Sequence, residues 1–173
     1  TTQATSAIVS GYVPYANLPA GSVLQVVSTA KTDTFATTSG SYTDVTGLSV
    51  TITPKFSTSK ILVLADIHYG SNTDSGYAFF QLVRTSTAIY VGDSSGSRTL
   101  GSAGGCAPGT NPMAQANMVY LDSPATTSAT TYKIQTLSQN TSYSVTVNKG
   151  WADSDASYAL RTASSITVLE IAA

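Results

Sequence analysis

The sequence predicts an all-β fold: an antiparallel two-sheet jelly-roll sandwich. Three observations carry that expectation. Short apolar runs recur along the chain with turn formers between them. No stretch shows the 3.6-residue stripe of an amphipathic helix. The composition favours strands, with 27 threonines, 25 serines and ten tyrosines but a single glutamate, Glu170.

The elements follow in chain order. Residues 1–21 read as an extended lead-in, because Val13–Gly21 holds Pro14, Pro19 and Gly21 and proline cannot donate to a sheet ladder. Residues 22–173 read as the sandwich domain. Its expected strands are Val23–Ser28, Thr32–Ala36, Tyr42–Val45, Leu48–Thr53, Ile61–Tyr69, Tyr77–Arg84, Ala88–Val91, Ala116–Leu121, Thr131–Leu137, Tyr143–Asn148 and Ile166–Ile171. Turn formers such as Ser39-Gly40-Ser41, Asp122-Ser123-Pro124 and Asn148-Lys149-Gly150 separate them. Gly92–Pro112 breaks the rhythm: six glycines and two prolines predict a long irregular loop.

The strand faces say more. Leu48, Val50 and Ile52 alternate with Ser49, Thr51 and Thr53; Tyr143, Val145 and Val147 alternate with Ser144, Thr146 and Asn148. Such strands bury one face and wet the other. Other strands are apolar on both faces, and a two-layer sandwich has no interior for the second one. It needs a cover of loops or another subunit. The residues expected at that subunit interface are Leu24, Val26, Phe80, Leu82, Tyr120, Leu169 and Ile171.

Composition narrows the function. Only 10% of residues are charged and the formal net charge is −1 with eight Lys plus Arg, which argues against a nucleic-acid partner held by bulk charge. No apolar run approaches membrane-spanning length. One cysteine, Cys106, excludes an intrachain disulfide. The opening Thr-Thr-Gln is neither an initiator nor a signal peptide, so a processed product or fragment is expected.

Catalytic and metal-binding sets are sparse. His68 is the only histidine and shares a strand face with Asp66, while Ile61, Val63, Ala65 and Ile67 point the other way. One His and one Cys cannot make a zinc site, and Asp153-x-Asp155 lacks the further carboxylates a calcium loop uses. No catalytic residue, metal or cofactor is expected. Binding through loop aromatics fits better, because aromatic faces and planar polar groups suit sugars. The candidates are Trp151, Asp153, Asp155 and Tyr158 in Lys149–Leu160, with Tyr69, Asn72 and Asp74 in a second loop.

Several segments also carry a resemblance. Gly21-Ser22-Val23-Leu24-Gln25-Val26-Val27, Lys31-Thr32-Asp33-Thr34-Phe35, Tyr42–Pro54, Ser59–Val63, Leu82-Val83-Arg84, Thr87–Asp93, Leu121–Thr127 and Arg161–Ile171 together resemble a module of tail-fibre and virion structural proteins of marine and cyanobacterial bacteriophages. The strand plan is similar to the trimeric jelly roll of the tumour-necrosis-factor and complement C1q kind. The resemblance implies an extracellular, homotrimeric virion appendage. Its N-terminal segment would meet other virion proteins, and its loops a host-surface glycan or protein. A capsid decoration or head-fibre role without ligand, and a host-polysaccharide-degrading enzyme, stay open as alternatives.

Overall fold

The computed structural model describes residues 13–71, 76–107, 109 and 111–173. These build two antiparallel sheets facing each other, in the expected sandwich. The strands are β1 (Val23–Lys31), β2 (Phe35–Thr37), β3 (Thr43–Ile52), β4 (Lys60–Ser71), β5 (Tyr77–Arg84), β6 (Thr87–Ile89), β7 (Ala103–Cys106), β8 (Ala114–Asp122), β9 (Thr130–Ser138), β10 (Val145–Val147) and β11 (Ser164–Ile171). Sheet A runs β1-β11-β4-β10-β2 with β8 on the other edge of β4; sheet B runs β3-β9-β5-β6 with β7 also on β5.

Sheet A is simpler than its six strands suggest. β11 pairs with β4 from Lys60 to Asp66, and β10 continues along the same edge at Tyr69–Ser71. β1 lies on β11 and β2 on β10. Two long strands are thus each interrupted at the same level. The first break is residues 32–34; the second is a long excursion, residues 148–163. Asn148 pins both breaks. It is fully buried; its Nδ2 donates to the carbonyls of Lys31 (2.8 Å) and Asp33 (2.9 Å), and its Oδ1 accepts from Ser164 Oγ at 2.6 Å. Its φ of 64° turns the chain out of the sheet, a conformation asparagine tolerates better than most residues.

The core fills the space between the sheets. Ile61, Val63, Ala65, Ile67 and Tyr69 of β4 point inward, as do Ala78, Phe80 and Leu82 of β5 and Ile166 and Val168 of β11. Tyr69 and Phe80 meet across the core with ring centroids 5.1 Å apart. Two buried carboxylates are matched by donors. Asp122 takes both Arg84 Nη1 bonds (2.8 and 2.9 Å) and the Tyr132 hydroxyl at 2.7 Å; burial, with that bond, pushes the tyrosine hydroxyl far above its ordinary pKa. Glu170, the lone glutamate, is 0% exposed. It accepts from Gln25 Nε2 (2.6 Å) and from the backbone N–H groups of Lys55 (2.6 Å) and Phe56 (3.3 Å), tying down the turn after β3.

Both ends of the domain meet at one pole. Gly21 N–H donates to the Ala172 carbonyl at 2.8 Å, and Ala172 N–H to the Ser22 carbonyl at 2.9 Å. The lead-in before them makes a 3₁₀ turn at Tyr15–Asn17, and Lys55 Nζ sits 5.7 Å over the Tyr15 ring. Residues 1–12 of the expected lead-in lie outside the described residues.

Four expectations change. The strand expected over Thr32–Ala36 is broken at residues 32–34, where the chain leaves the sheet, and β2 holds only Phe35–Thr37. Residues 42–53 form one strand, β3, with a register shift between Asp44 and Ser49. The Gly-rich stretch contains β7, held by β5; its Gly-Gly sequence carries no periodicity to read. Thr146 and Asn148 are buried, not wet: the excursion lies across Thr146, whose hydroxyl donates to the carbonyls of Gly70 and Lys149, and the Asn148 amide is spent inside the junction.

Candidate functional site

The outer faces of the two sheets differ in kind. On sheet B, the register aligns Asp44, Gln135 and Gln81 in one row and Ser49, Lys133 and Val83 in the next. Lys133 Nζ and Gln135 Nε2 donate to Asp44 at 2.8 and 2.6 Å, and Gln81 Nε2 donates to Gln135 at 2.6 Å. The Lys133 and Gln135 bonds hold the Asp44 carboxyl below its ordinary pKa. The rows around Asp44 thus form a polar, internally bonded patch, while Tyr77, Phe79, Val83 and Leu137 share that side of the sheet, the last two buried.

The outer face of sheet A is graded along its length. Next to the terminal pole, Val26, Leu169, Leu62 and Leu121 stand directly opposite one another across four strands. Ser28, Thr167, Leu64 and Val119 form the next row, then Ala30, Ser165, Asp66 and Asn117, then His68 and Gln115. Aliphatic side chains thus give way to polar ones towards the far pole. Much of the aliphatic area is bare: Val26 is 56% exposed, Val119 62% and Leu121 53%. Val23 adds to the same face.

The interface residues expected from sequence divide on this face. Val26, Leu169 and Ile171 lie on it. Leu24, Phe80 and Leu82 do not; each is buried in the chain's own core. Leu24 changes sides because the register shifts between Val23 and Gln25, and an extra residue in one strand reverses the alternation beyond it. Phe80 and Leu82 belong to sheet B and fill its inner face. Tyr120 also points inward, packing on the core and stacking on Tyr90 at 5.0 Å. Leu62, Leu64, Val119 and Leu121 were missed. The phase of β4 held the signal, since Leu62 and Leu64 share parity with Asp66 and His68.

At the far pole the excursion crosses the outer side of β4. A Cβ on Gly70 would lie 2.8 Å from the Lys149 carbonyl and 3.1 Å from the Gly150 Cα, and one on Gly150 would lie 2.5 Å from the Asn111 carbonyl. Only glycines allow this approach. Asp153 anchors the loop: Arg161 Nε and Nη2 bind its two oxygens at 2.7 Å each, and Lys149 Nζ lies at 3.4 Å. Desolvation opposes ionisation there, but the Arg161 bond and the Lys149 charge outweigh it and keep the carboxyl below its ordinary pKa. His68 Nδ1 faces the Ala163 carbonyl at 2.9 Å and the Asp66 carboxylate at 4.0 Å.

The expected ligand residues therefore have separate fates. Trp151 (37% exposed), Asp155 and Tyr158 (73% exposed) sit on the excursion's surface. Tyr158 and Leu160 line an open depression with Asn111, Pro112 and Met113; Trp151 lies outside it. Asp153 is a structural anchor. Tyr69 is 3% exposed in the core, because β4 runs on to Ser71 and keeps it in phase with Ile67. Asn72 and Asp74 lie outside the described residues. Among the described residues, no group of three His, Cys, Asp or Glu side chains gathers to hold a metal ion, and no helix is long and apolar enough to cross a membrane.

No protein-family model matches the chain, and no curated protein matches it.

Proposed function

We propose that the chain is the attachment domain of a bacteriophage virion appendage of the tail-fibre type. It assembles as a homotrimer and binds a host-surface glycan or protein at the pole away from its termini. The observation that carries this reading is the gradient on sheet A. Aliphatic rows lie beside the termini, where a second and third copy can cover them, while the opposite pole carries the excursion with exposed Trp151, Tyr158 and Leu160.

The division of labour follows from burial. Aliphatic sheet faces of this extent are covered in assembled proteins, and closed cyclic symmetry lets copies share them. The lead-in, entering beside Ala172, joins the domain to other virion proteins. Loop aromatics present flat apolar area at small entropic cost, and modest affinity per site is multiplied by the copies on one particle.

Two measurements test the reading. Antibody raised against the domain and imaged on virions is expected at the tail periphery; label over the capsid would replace attachment with a decoration role. Purified domain is expected to compete with virions for adsorption to host cells, and Trp151→Ala to weaken that competition. Competition unchanged by alanine at Trp151, Tyr158 and Leu160 would remove the excursion from the binding surface.

A further inference from the structure

We propose that the edge of β8 takes an extended segment of a partner protein, which adds an antiparallel strand to sheet A. This goes beyond the reading above: a trimer contact uses the outer face of sheet A, and the added strand uses its rim.

The backbone shows which groups are left for a partner. His68 N–H donates to Ser164 Oγ at 3.0 Å, and its carbonyl accepts from Asn148 N–H at 2.9 Å. The His68 backbone groups therefore point towards β10 and β11. Successive residues of a strand turn these groups to opposite sides, so Ile61, Val63, Ala65 and Ile67 aim theirs at β8. Opposite them stand Asp122, Tyr120, Met118 and Ala116, which close the ladder. Gln115, Asn117, Val119 and Leu121 then turn their N–H and C=O groups away from β4. Among the described residues β8 pairs with β4 alone, and all four of these residues are exposed.

The other rims of the sandwich are guarded. Natural edge strands carry a bulge, a charge or a proline, or are short. β1 and β3 each hold a register shift, and β2, β6 and β7 have only three or four residues. β8 has nine, in unbroken register with β4, and neither proline nor lysine. Its one charge, Asp122, is buried on Arg84 and Tyr132. Such an edge is a template for main-chain pairing.

The side chains say what kind of strand fits. From the terminal pole the exposed residues run Leu121, Val119, Asn117, Gln115. An antiparallel partner places aliphatic residues beside the first two and amides or hydroxyls beside the last two. A charge beside Leu121 or Val119 would lose solvation without gaining an ion partner. A second copy of β8 fits less well. Antiparallel pairing that used all four residues would set Leu121 against Gln115 and Val119 against Asn117 of the other copy, aliphatic against amide at every position.

The experiment uses the intact protein and a fluorescein-labelled peptide, acetyl-Ser-Val-Thr-Val-Thr-Thr-Thr-Asn-Ser-amide, followed by anisotropy. Wild type is expected to bind it. Asn117→Pro removes one outward donor and spares the β4 ladder; it is expected to weaken binding by about tenfold or more. Asn117→Thr keeps that donor and is expected to stay within about twofold of wild type. Amide exchange followed by NMR reads the same edge without mutation, and decides alone if Asn117→Pro does not fold. The amides of Ala116, Met118 and Tyr120 are expected to be protected with or without peptide, and those of Asn117, Val119 and Leu121 only with it. No binding by wild type, equal binding by a folded Asn117→Pro protein, or peptide binding that leaves the outward amides unprotected overturns the proposal. So does protection of those amides before peptide is added. If removing residues 1–12 then abolishes it, that segment is the occupant; if Val119→Asp abolishes it, a second copy is.

Discussion

Replacing Val119 by aspartate tests the aliphatic face of sheet A directly. Val119 is 62% exposed in the single chain and stands beside Leu64 in the register. Fully burying a valine contributes about 1.5–3 kcal/mol, so covering its open fraction in an assembly contributes about 1–2 kcal/mol per copy. The aspartate forfeits that and brings an ion into an apolar contact, where desolvation costs several kcal/mol. A total near 3 kcal/mol per copy is a conservative sum, and it weakens each contact by about a hundredfold. The single chain hardly notices, because an exposed substitution usually changes stability by less than about 0.5 kcal/mol. Light scattering on the wild type is expected to give about three times the 17.8 kDa chain mass, and Val119→Asp one chain mass with an unaltered circular dichroism spectrum. A wild type that stays monomeric at tens of micromolar, or a Val119→Asp protein that keeps the wild-type mass, would refute the reasoning.

Three further outcomes concern the fold. Asn148→Gly keeps the left-handed backbone but removes three buried hydrogen bonds, so a loss of about 2–3 kcal/mol is expected in urea unfolding; a loss under 0.5 kcal/mol would show that the pin is dispensable. Glu170→Gln keeps the shape but removes the charge accepting from Lys55 and Phe56, and about 1–3 kcal/mol is expected from the same assay. Acid is expected to destabilise the chain as well. The lowered carboxyls of Asp44 and Asp153 contribute stability that is complete above the ordinary aspartate value of 3.8 and is lost as pH falls through their lower folded values. Melting temperature is therefore expected to be level above about pH 5 and to fall below about pH 4, less steeply in Asp44→Asn; equal slopes would remove Asp44 from the account.

How far the fold was legible in the sequence depended on what each strand had to do. β5 was read with its observed bounds, since an apolar run between Gly76 and Thr85-Ser86 has one sensible length. β7 was hidden, because its pairing is supplied by β5 and not by its own residues. That some strands need cover on two faces was readable, but which face was bare depended on alternation phase. A shifted register near Val23 exchanged Leu24 for its neighbours, and in β8 the aromatic Tyr120 drew attention from Val119 and Leu121. In the candidate site, Trp151 and Tyr158 were readable as loop aromatics. Tyr69 was not readable as core without knowing that β4 continues two residues past it.

The paired interruption of sheet A also makes the domain an unusual scaffold. The strands resume in register on both sides of the break, and Asn148, Ser164 and Gly70 hold that junction from within the sheet. What lies between is tethered at two adjacent points. Lengthening a tethered segment costs little, about 0.6 kcal/mol per doubling. Residues 154–160, beyond the Asp153 anchor, can therefore be rewritten by evolution, or replaced by a library, without asking the core to adapt. The exposed surface can diverge quickly there while the sandwich that presents it stays the same.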